Sequence, residues 1–383
     1  MDDTTNTGGV TDAAGDATNT SDTTDATNTG GTTSTSDATN TGGTATADDT
    51  TGTLDEALER LHASGPERNG WLSNHGPMAV EALVRHGQAP AVHRWLDHYS
   101  HKLEDMPDTA TRVTAENWRE ALGDPRRIAD WTTYFERETA ERPWRDVLTE
   151  WWPRLLPGIA AGATHPVIRV GHSVRTLLTG EATAPRIAEL AHGLGYWAAR
   201  HQPLPALAPL APAPTAAAAL DAVAPVPEQN GGIRDRLAQL TAFPVWPQRF
   251  TDDPEEARDR LAELVRAATH RYATHGHGEP IMLVHAATAP NAVLRALPAL
   301  PRALWVPSLG AAWAASAAVT AAYSPAEAAP YAPAGASADE LFARAAAHGD
   351  DHTIKFTDTA LDIGDGTALA AALRSIELNP PVL

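Results

Sequence analysis

The chain has 383 residues, a formal net charge of −19 and no cysteine. The lack of cysteine excludes disulfides, zinc–thiolate sites, cysteine-ligated iron–sulfur clusters and cysteine nucleophiles, and the acidic balance argues against a nucleic-acid partner or an anionic membrane surface. Any bound metal must therefore be held by histidine, aspartate, glutamate or a less usual ligand.

Residues 1–53 form an acidic segment of low complexity. The heptapeptide DATNTGG occurs at 25–31 and again at 37–43, and the segment contains nine acidic residues and no basic one. It has almost no large apolar side chain, so burial cannot offset the entropy lost on ordering it. Its first residues, MDDTTNTGGV, lack the basic and apolar regions of a secretory signal. We therefore predict a disordered tail and a cytoplasmic protein.

Helical periodicity begins at Leu54. In the segment LDEALERLHAS, Leu54, Leu58 and Leu61 fall on one helical face. Similar segments, many with a proline near the start and a glycine after the end, continue to the C-terminus. No run of alternating β-branched residues is long enough to predict a sheet. The sequence thus predicts an all-α fold, in which one large domain at 54–383 contains a dozen or more helices.

Two segments of this domain are rich in small or apolar residues. The Pro/Ala-rich stretch 202–232 is predicted to be a loop across the surface or a seam between two halves. The uncharged stretch from Ala303 to Ala326 is mostly alanine. A membrane-spanning helix needs about 20 strongly apolar residues, so we interpret this stretch as a buried helix and expect no membrane partner.

Several common catalytic motifs are absent from the sequence. No GxGxxG motif follows a strand, and neither GxxxxGK[ST], GxSxG nor HExxH occurs. These motifs bind dinucleotides or phosphates, present a serine nucleophile, or hold zinc for proteolysis. The sequence therefore predicts no built-in flavin, NAD(P) or ATP domain.

Histidines in apolar helical segments are the main candidate metal ligands. Each one alone is better explained as a core residue, but a helical bundle can direct several imidazoles at one transition metal. Two histidines seven residues apart are too distant to share an ion easily on a straight helix, so one of His165 and His172 is expected to lie outside the ligand set. The candidates are His75, His165, His172, His285 and His352.

Lys355 is one of only two lysines in the chain, and it lies three residues after His352. A buried lysine can lose its proton, whereas arginine keeps its charge. On these residues alone, Lys355 is explained as a buried ion-pair partner of Asp358 or Asp362.

Four blocks, LSNHGPMAVEAL, THPVIRVGHSVR, HAATAPNAVLRAL and DDHTIKFTDTAL, together resemble the questin oxidase-like family. The resemblance runs from about Leu54 to about Leu373, omitting the Pro/Ala-rich stretch. It implies oxidation of an anthraquinone in aromatic polyketide secondary metabolism, by a Baeyer–Villiger-like ring opening. It also implies non-haem iron held by histidines and a carboxylated lysine, which assigns that role to Lys355. Pro166 departs from the pattern, which has glycine there.

The first functional hypothesis is therefore an oxygenase. A non-haem iron, or another divalent transition metal, would bind O2 beside a small aromatic substrate, and Asn74 or Arg169 would orient a phenolate or carbonyl. A Baeyer–Villiger step requires two electrons from an external donor such as NADPH, whereas a dioxygenase requires none. Tryptophans that could form the substrate wall are Trp71, Trp151, Trp152, Trp197 and Trp313.

Two alternatives belong to other classes. The sequence HGDDH at 348–352 superficially resembles the metal sites of His-Asp hydrolases, in which a bound metal generates hydroxide. The chain could also be a non-enzymatic helical scaffold with histidines in its core. Bound metal separates the scaffold from both enzymes, and O2 uptake separates the oxygenase from the hydrolase.

Overall fold

A computed structural model describes residues 47–247 and 252–383. The predicted disorder of residues 1–46 lies outside the described residues. The first helix begins at Ala47, seven residues before the predicted start at Leu54. The added segment, ADDTTGT, has no large apolar side chain and therefore gives no apolar periodicity from which the helix could have been predicted.

The structure is 67% helical, which confirms the predicted all-α class. The helices of the N-terminal half are α1 (Ala47–His62), α2 (Gly76–Arg85), α3 (Ala89–Ser100), α4 (Trp118–Ala121), α5 (Ile128–Glu141), α6 (Trp144–Leu155), α7 (His165–Thr179) and α8 (Ala184–Arg200). Those of the C-terminal half are α9 (Ala216–Asp221), α10 (Ile233–Leu237), α11 (Pro254–His275), α12 (Pro280–Leu283), α13 (His285–Ala296), α14 (Trp305–Tyr323), α15 (Ala338–His348), α16 (Asp351–Ile363) and α17 (Gly366–Leu378).

Two small sheets occur where none was predicted. Strands β1 (Glu67–Arg68) and β2 (Leu72–Ser73) form an antiparallel hairpin. Strands β3 (Ala208–Pro212) and β4 (Ala242–Val245) pair in parallel. Strands this short have no detectable alternation. The hairpin nevertheless has a sequence signal, because Asn69 and Gly70 both have positive φ at its turn, as Asn-Gly pairs do in tight hairpins.

The Pro/Ala-rich stretch 202–232 includes β3, whose residues are all exposed, and the short helix α9. Thr215 caps α9 by accepting a hydrogen bond from the backbone N–H of Ala218. The described residues belong to one compact unit. The stretch is part of this unit: its strand is exposed, but Ala213, Ala216, Ala219, Leu220, Val223 and Val226 are buried in the core.

Helix α14 is the apolar stretch for which a buried helix was predicted, and this prediction is confirmed. Residues 302–323 are long and apolar enough to cross a membrane by length and composition, but 61% of the most apolar window is buried within the protein. Burial against other helices is typical of a core helix.

The centre of the domain is a ring of four helices, α2, α7, α13 and α16. Each contacts its two neighbours in the ring. Helix α7 is buried over most of its length, and Gly171 allows α13 to approach closely, since a Cβ at that position would lie 2.5 Å from the Cβ of Ala292. This ring determines where the candidate ligands meet.

Candidate metal centre

A histidine stands at the N-terminal end of each helix in the central ring. His75 is the N-cap residue of α2, His165 and His285 are the first residues of α7 and α13, and His352 is the second residue of α16. The departure at Pro166 is accommodated, because proline fits the first turn of a helix, where its missing N–H needs no partner. Four helix starts therefore bring four histidines to one place.

The four histidines form one buried cluster, and their ligand atoms lie within 4.8 Å of one another. The Nε2 atoms of His165 and His285 are 2.8 Å apart. The ring centroid of His75 lies 4.5 Å from that of His165 and 4.3 Å from that of His352. Two nitrogens bound to one ion at about 2.1 Å lie roughly 3 Å apart, so this spacing suits a shared metal.

Hydrogen bonds fix the tautomers of His165 and His285. The Nδ1 of His165 lies 2.6 Å from the carbonyl oxygen of Gly162, and the Nδ1 of His285 lies 2.9 Å from that of Met282. A carbonyl oxygen only accepts, so each Nδ1 carries the proton and each Nε2 presents a lone pair. Metal-bound histidines commonly donate their second ring N–H in this way.

The other two histidines also have nitrogens available to a metal. The Nδ1 of His352 lies 2.6 Å from a carboxylate oxygen of Asp351, a pairing that leaves Nε2 free. Neither ring nitrogen of His75 has a hydrogen-bond partner among the described residues, although both are buried. Its backbone N–H donates to the hydroxyl of Tyr99 at 2.7 Å. Unpartnered buried polar atoms are rare, and a metal would satisfy them.

Electrostatics favour the neutral form of three of these imidazoles. Burial, followed by the charge of Lys355, holds the pKa of His75, His165 and His285 well below the usual range of histidine. Burial alone would raise the pKa of Asp351, but its neighbours His352 and Lys355 bring that pKa to about 2. The site therefore offers neutral nitrogen ligands beside one ionised carboxylate.

Lys355 lies inside this cluster and is fully buried. Its Nζ is 2.8 Å from the Nε2 of His285. Burial lowers the pKa of Lys355 to about 7, although Asp351 and Asp350 act in the opposite direction. A neutral amine is therefore accessible near neutral pH, at the point where the histidine lone pairs converge.

The backbone before α7 is unusual, because Gly162, Ala163 and Thr164 have φ of 54°, 54° and 67°. Left-handed conformations cost a non-glycine residue about 1–2 kcal/mol each. The segment directs the carbonyl of Gly162 at Nδ1 of His165. Such local strain occurs at functional sites, and here it orients a candidate ligand.

Three predicted site residues are placed elsewhere. The Nδ1 of His172 lies 2.7 Å from Glu81, outside the four-histidine cluster, because a separation of seven residues moves it two turns along α7. Arg169 forms two hydrogen bonds with the buried carboxylate of Glu189. Asn74 accepts from the backbone of Gly76 and donates to that of Gly65. Arg169 and Asn74 thus hold the scaffold rather than face a substrate.

The tryptophans proposed for the substrate wall do not form one surface. Trp151, Trp152, Trp197 and Trp313 are core residues with 6% exposure or less, whereas Trp71 is 61% exposed. Sequence reasoning also missed Asp351 and Tyr99 as residues that contact the candidate ligands. The acidic residue beside His352 was a visible signal for Asp351; Tyr99 had none, because only the packing of α3 on α2 brings it close.

Within the HGDDH segment, Asp350, Asp351 and His352 lie close enough to form a possible metal group, but His348 is not part of it. The Nε2 of His348 lies 3.0 Å from the carbonyl oxygen of Asn379, and Gly349 ends α15 with φ of 79°. The chain reverses there, so His348 is not in the four-histidine cluster.

A buried charge network joins the same four helices farther along their length. Asp358 of α16 is fully buried and accepts hydrogen bonds from Arg85 of α2, Arg175 of α7 and Arg295 of α13. Burial alone would raise its pKa, but the arginines hold that pKa well below its usual range. Glu81 pairs with Arg175 in the same network. Because arginines compensate these carboxylates, they hold the helices together rather than bind a cation.

Replacing Asp358 by alanine should destabilise the fold strongly. Removing one partner of a buried ion pair costs about 3–5 kcal/mol, because the remaining charges stay buried. A fall in Tm of about 5 °C is expected for a domain of this size. The control is Asp97→Ala, since Asp97 pairs with Arg60 at the surface and such pairs contribute about 1 kcal/mol or less. Equal effects of the two substitutions in thermal unfolding would contradict this assignment.

Comparison with known proteins gives one family match. A family model described as questin oxidase-like matches residues 72–359, a range that begins in β2 and includes all four histidines and Lys355. No curated protein matches the chain.

Proposed function

The chain belongs to the questin oxidase-like family, and from this premise we propose that it oxidises a small aromatic substrate with O2 at a transition metal held by the four-histidine cluster. The family assigns the general class, an oxidoreductase of the oxidase or oxygenase kind. The substrate, the metal and the reaction are the proposal. We place the enzyme in the cytoplasm and expect neither a nucleic-acid nor a membrane partner.

One observation carries the metal proposal. The Nε2 atoms of His165 and His285 face each other at 2.8 Å, and both carry lone pairs because their Nδ1 atoms are hydrogen-bonded to carbonyl oxygens. Two lone pairs this close repel each other, and although Lys355 Nζ can donate to the one on His285, a cation bound to both from one side would remove the repulsion. The unpartnered nitrogens of His75 point to the same need, so the residues fit a metal.

The donor set favours a particular group of metals. Neutral imidazole suits iron, zinc, copper and nickel, and an oxygenase needs a metal that changes oxidation state, so we favour non-haem iron. When bound, the iron would supply an open position for O2 and a route for electrons between O2 and the substrate.

Lys355 would contribute through a carbamate. Its neutral amine would attack CO2, forming an N–C bond and releasing one proton, and the product is an anion with oxygen donors. The fully buried position and the contact with His285 support this role, and an ammonium could not serve because it has no lone pair. An anionic ligand would also offset part of the charge of the metal.

The protein contributes a dry and electropositive setting. The four ring helices direct their N-terminal ends at the cluster, and each end carries a partial charge of about half an elementary charge. Such a field favours anions, including the phenolate of an aromatic substrate and the carbamate of Lys355. A phenolate gives up electrons more readily than a phenol, and the field favours the phenolate form.

Two reaction types remain within this proposal. A Baeyer–Villiger reaction inserts one oxygen atom, and the other leaves as water at the expense of two electrons from a donor such as NADPH. A dioxygenase places both oxygen atoms in the product and consumes no donor. Labelled O2 and the ratio of NADPH to O2 consumed distinguish the two.

Oxygen uptake tests the proposal directly. With iron-loaded protein, NADPH and questin as the probe substrate, O2 consumption should depend on iron and be lost in His75→Ala. The control is His98→Ala, because His98 is exposed on α3 and should retain wild-type uptake. Uptake that survives both chelation and His75→Ala would contradict the proposal, as would the absence of uptake with loaded wild-type protein.

A further inference from the structure

A solvent-facing cavity adjoins the four-histidine cluster through one residue. The cavity has a volume of about 420 Å³ and is lined by residues that include Glu67, Trp71, Gly162, Arg200 and Arg234. Ligand sites of small molecules span about 300–1,000 Å³. Gly162 lines the cavity and also contacts the cluster, because its carbonyl oxygen accepts a hydrogen bond from Nδ1 of His165.

Only backbone lines the cavity at Gly162. Gly162 has no side chain, and its φ of 54° favours glycine. A Cβ at this position would lie 3.4 Å from the hydroxyl of Tyr196, and that hydroxyl lies 2.7 Å from Ser73 Oγ, two residues before His75. Of the larger cavities, this one has a lining residue in direct contact with a candidate ligand.

Trp71 lies at the edge of the cavity, and its ring is open to solvent. It is 61% exposed and lies in the hairpin whose turn is formed by Asn69 and Gly70. The hairpin is anchored because Glu67 forms two hydrogen bonds with Arg200 of α8. An exposed indole offers a large apolar face to a flat ligand at low entropic cost.

The same cavity provides a positive charge without a partner. Arg234 is exposed, and in the described part of the chain no carboxylate pairs with it, whereas the charge of Arg200 is matched by Glu67. The cavity therefore combines an aromatic platform with one available guanidinium. Guanidinium groups bind planar anionic oxygens through paired hydrogen bonds.

We propose that this cavity binds the substrate as an aromatic anion, with Trp71 contacting the flat ring system and Arg234 binding an ionised oxygen. This inference rests on the proposed oxygenase function and adds the location and the charge of the ligand. Neither residue contacts the four-histidine cluster, so both determine substrate binding and specificity rather than the chemical step.

Calorimetry without O2 tests the cavity apart from the chemistry. Anthraquinone-2-carboxylate and its neutral 2-hydroxymethyl analogue are titrated anaerobically into the metal-loaded protein and its variants. Trp71→Ala should weaken both ligands about tenfold, since it removes a large aromatic contact. Arg234→Ala should weaken only the carboxylate, by about fivefold, and added salt should reduce this difference. Matched controls are Tyr331→Ala and Arg94→Ala, which change exposed residues outside the cavity lining.

The outcomes separate this inference from the oxygenase proposal. Unchanged affinities in Trp71→Ala and Arg234→Ala, or no binding of either probe to the wild-type protein, would overturn the cavity assignment even where O2 uptake is intact. Conversely, binding that depends on both residues would support the cavity even if the wild-type protein consumed no O2, and only the oxygenase proposal would then be rejected.

Discussion

Replacing Lys355 by arginine should remove both the metal and the O2-dependent activity. Arginine keeps a positive charge in the same buried position but has no neutral amine that could add CO2. Its guanidinium would also lie beside the Nε2 of His285, where Lys355 Nζ is at 2.8 Å, and would repel a metal cation. Metal content and O2 uptake of the purified variant measure the effect, and we expect both to be near background.

The alanine variant makes the test more specific. Lys355→Ala should also lose metal and activity, but acetate or propionate in the buffer should partly restore both by occupying the place of the carbamate. An ion-pair role would give the opposite order, with arginine tolerated and alanine damaging. Asp358, one of its two predicted partners, is instead paired with arginines, which speaks against that role. A fully active Lys355→Arg enzyme would end the carbamate hypothesis.

The second large effect is expected at His285. This residue contacts both His165 and Lys355 at 2.8 Å, so it is the member of the cluster with the most direct contacts to other candidate ligands. Substitutions in residues that only support ligands already cost about 10–100-fold in metal affinity. His285→Ala should therefore weaken metal binding by at least about 100-fold, measured by competition with a chelator of known affinity.

A matched histidine controls for general damage to the core. His172 is also buried and lies on α7, but its Nδ1 pairs with Glu81, outside the cluster. His172→Ala should lower thermal stability while the metal is retained. If His172→Ala loses metal to the same extent as His285→Ala, the assignment of His285 as a ligand and His172 as a non-ligand is wrong.

The sequence predicted the fold class and five residues that meet in space, and the reasons are local. His75 and His165 stand beside prolines that predict a helix start, whereas His285 was expected inside an apolar helical segment and proves to be the first residue of α13. A helix start brings a side chain to the end of a bundle, which is where the four histidines meet. The rarity of lysine in an arginine-rich chain drew attention to Lys355 for a chemical reason rather than a structural one.

Other features depend on tertiary packing and could not be predicted in this way. The separation of His172 from the cluster requires knowing where Glu81 of α2 lies relative to α7. The assignment of Arg169 to Glu189 depends equally on the packing of α7 against α8. The hairpin that carries Trp71, by contrast, could have been predicted from the sequence, because Asn-Gly pairs are a signal of a hairpin turn.

The most direct test of the central claim is the metal content of wild-type protein purified without O2. Elemental analysis should find about one transition metal per chain, as expected for a single imidazole-rich site, and iron is the metal we predict. The electron paramagnetic resonance spectrum of its nitric oxide adduct should show iron(II) with an open position. A metal-free protein that nevertheless oxidises its substrate at the full wild-type rate would contradict the account.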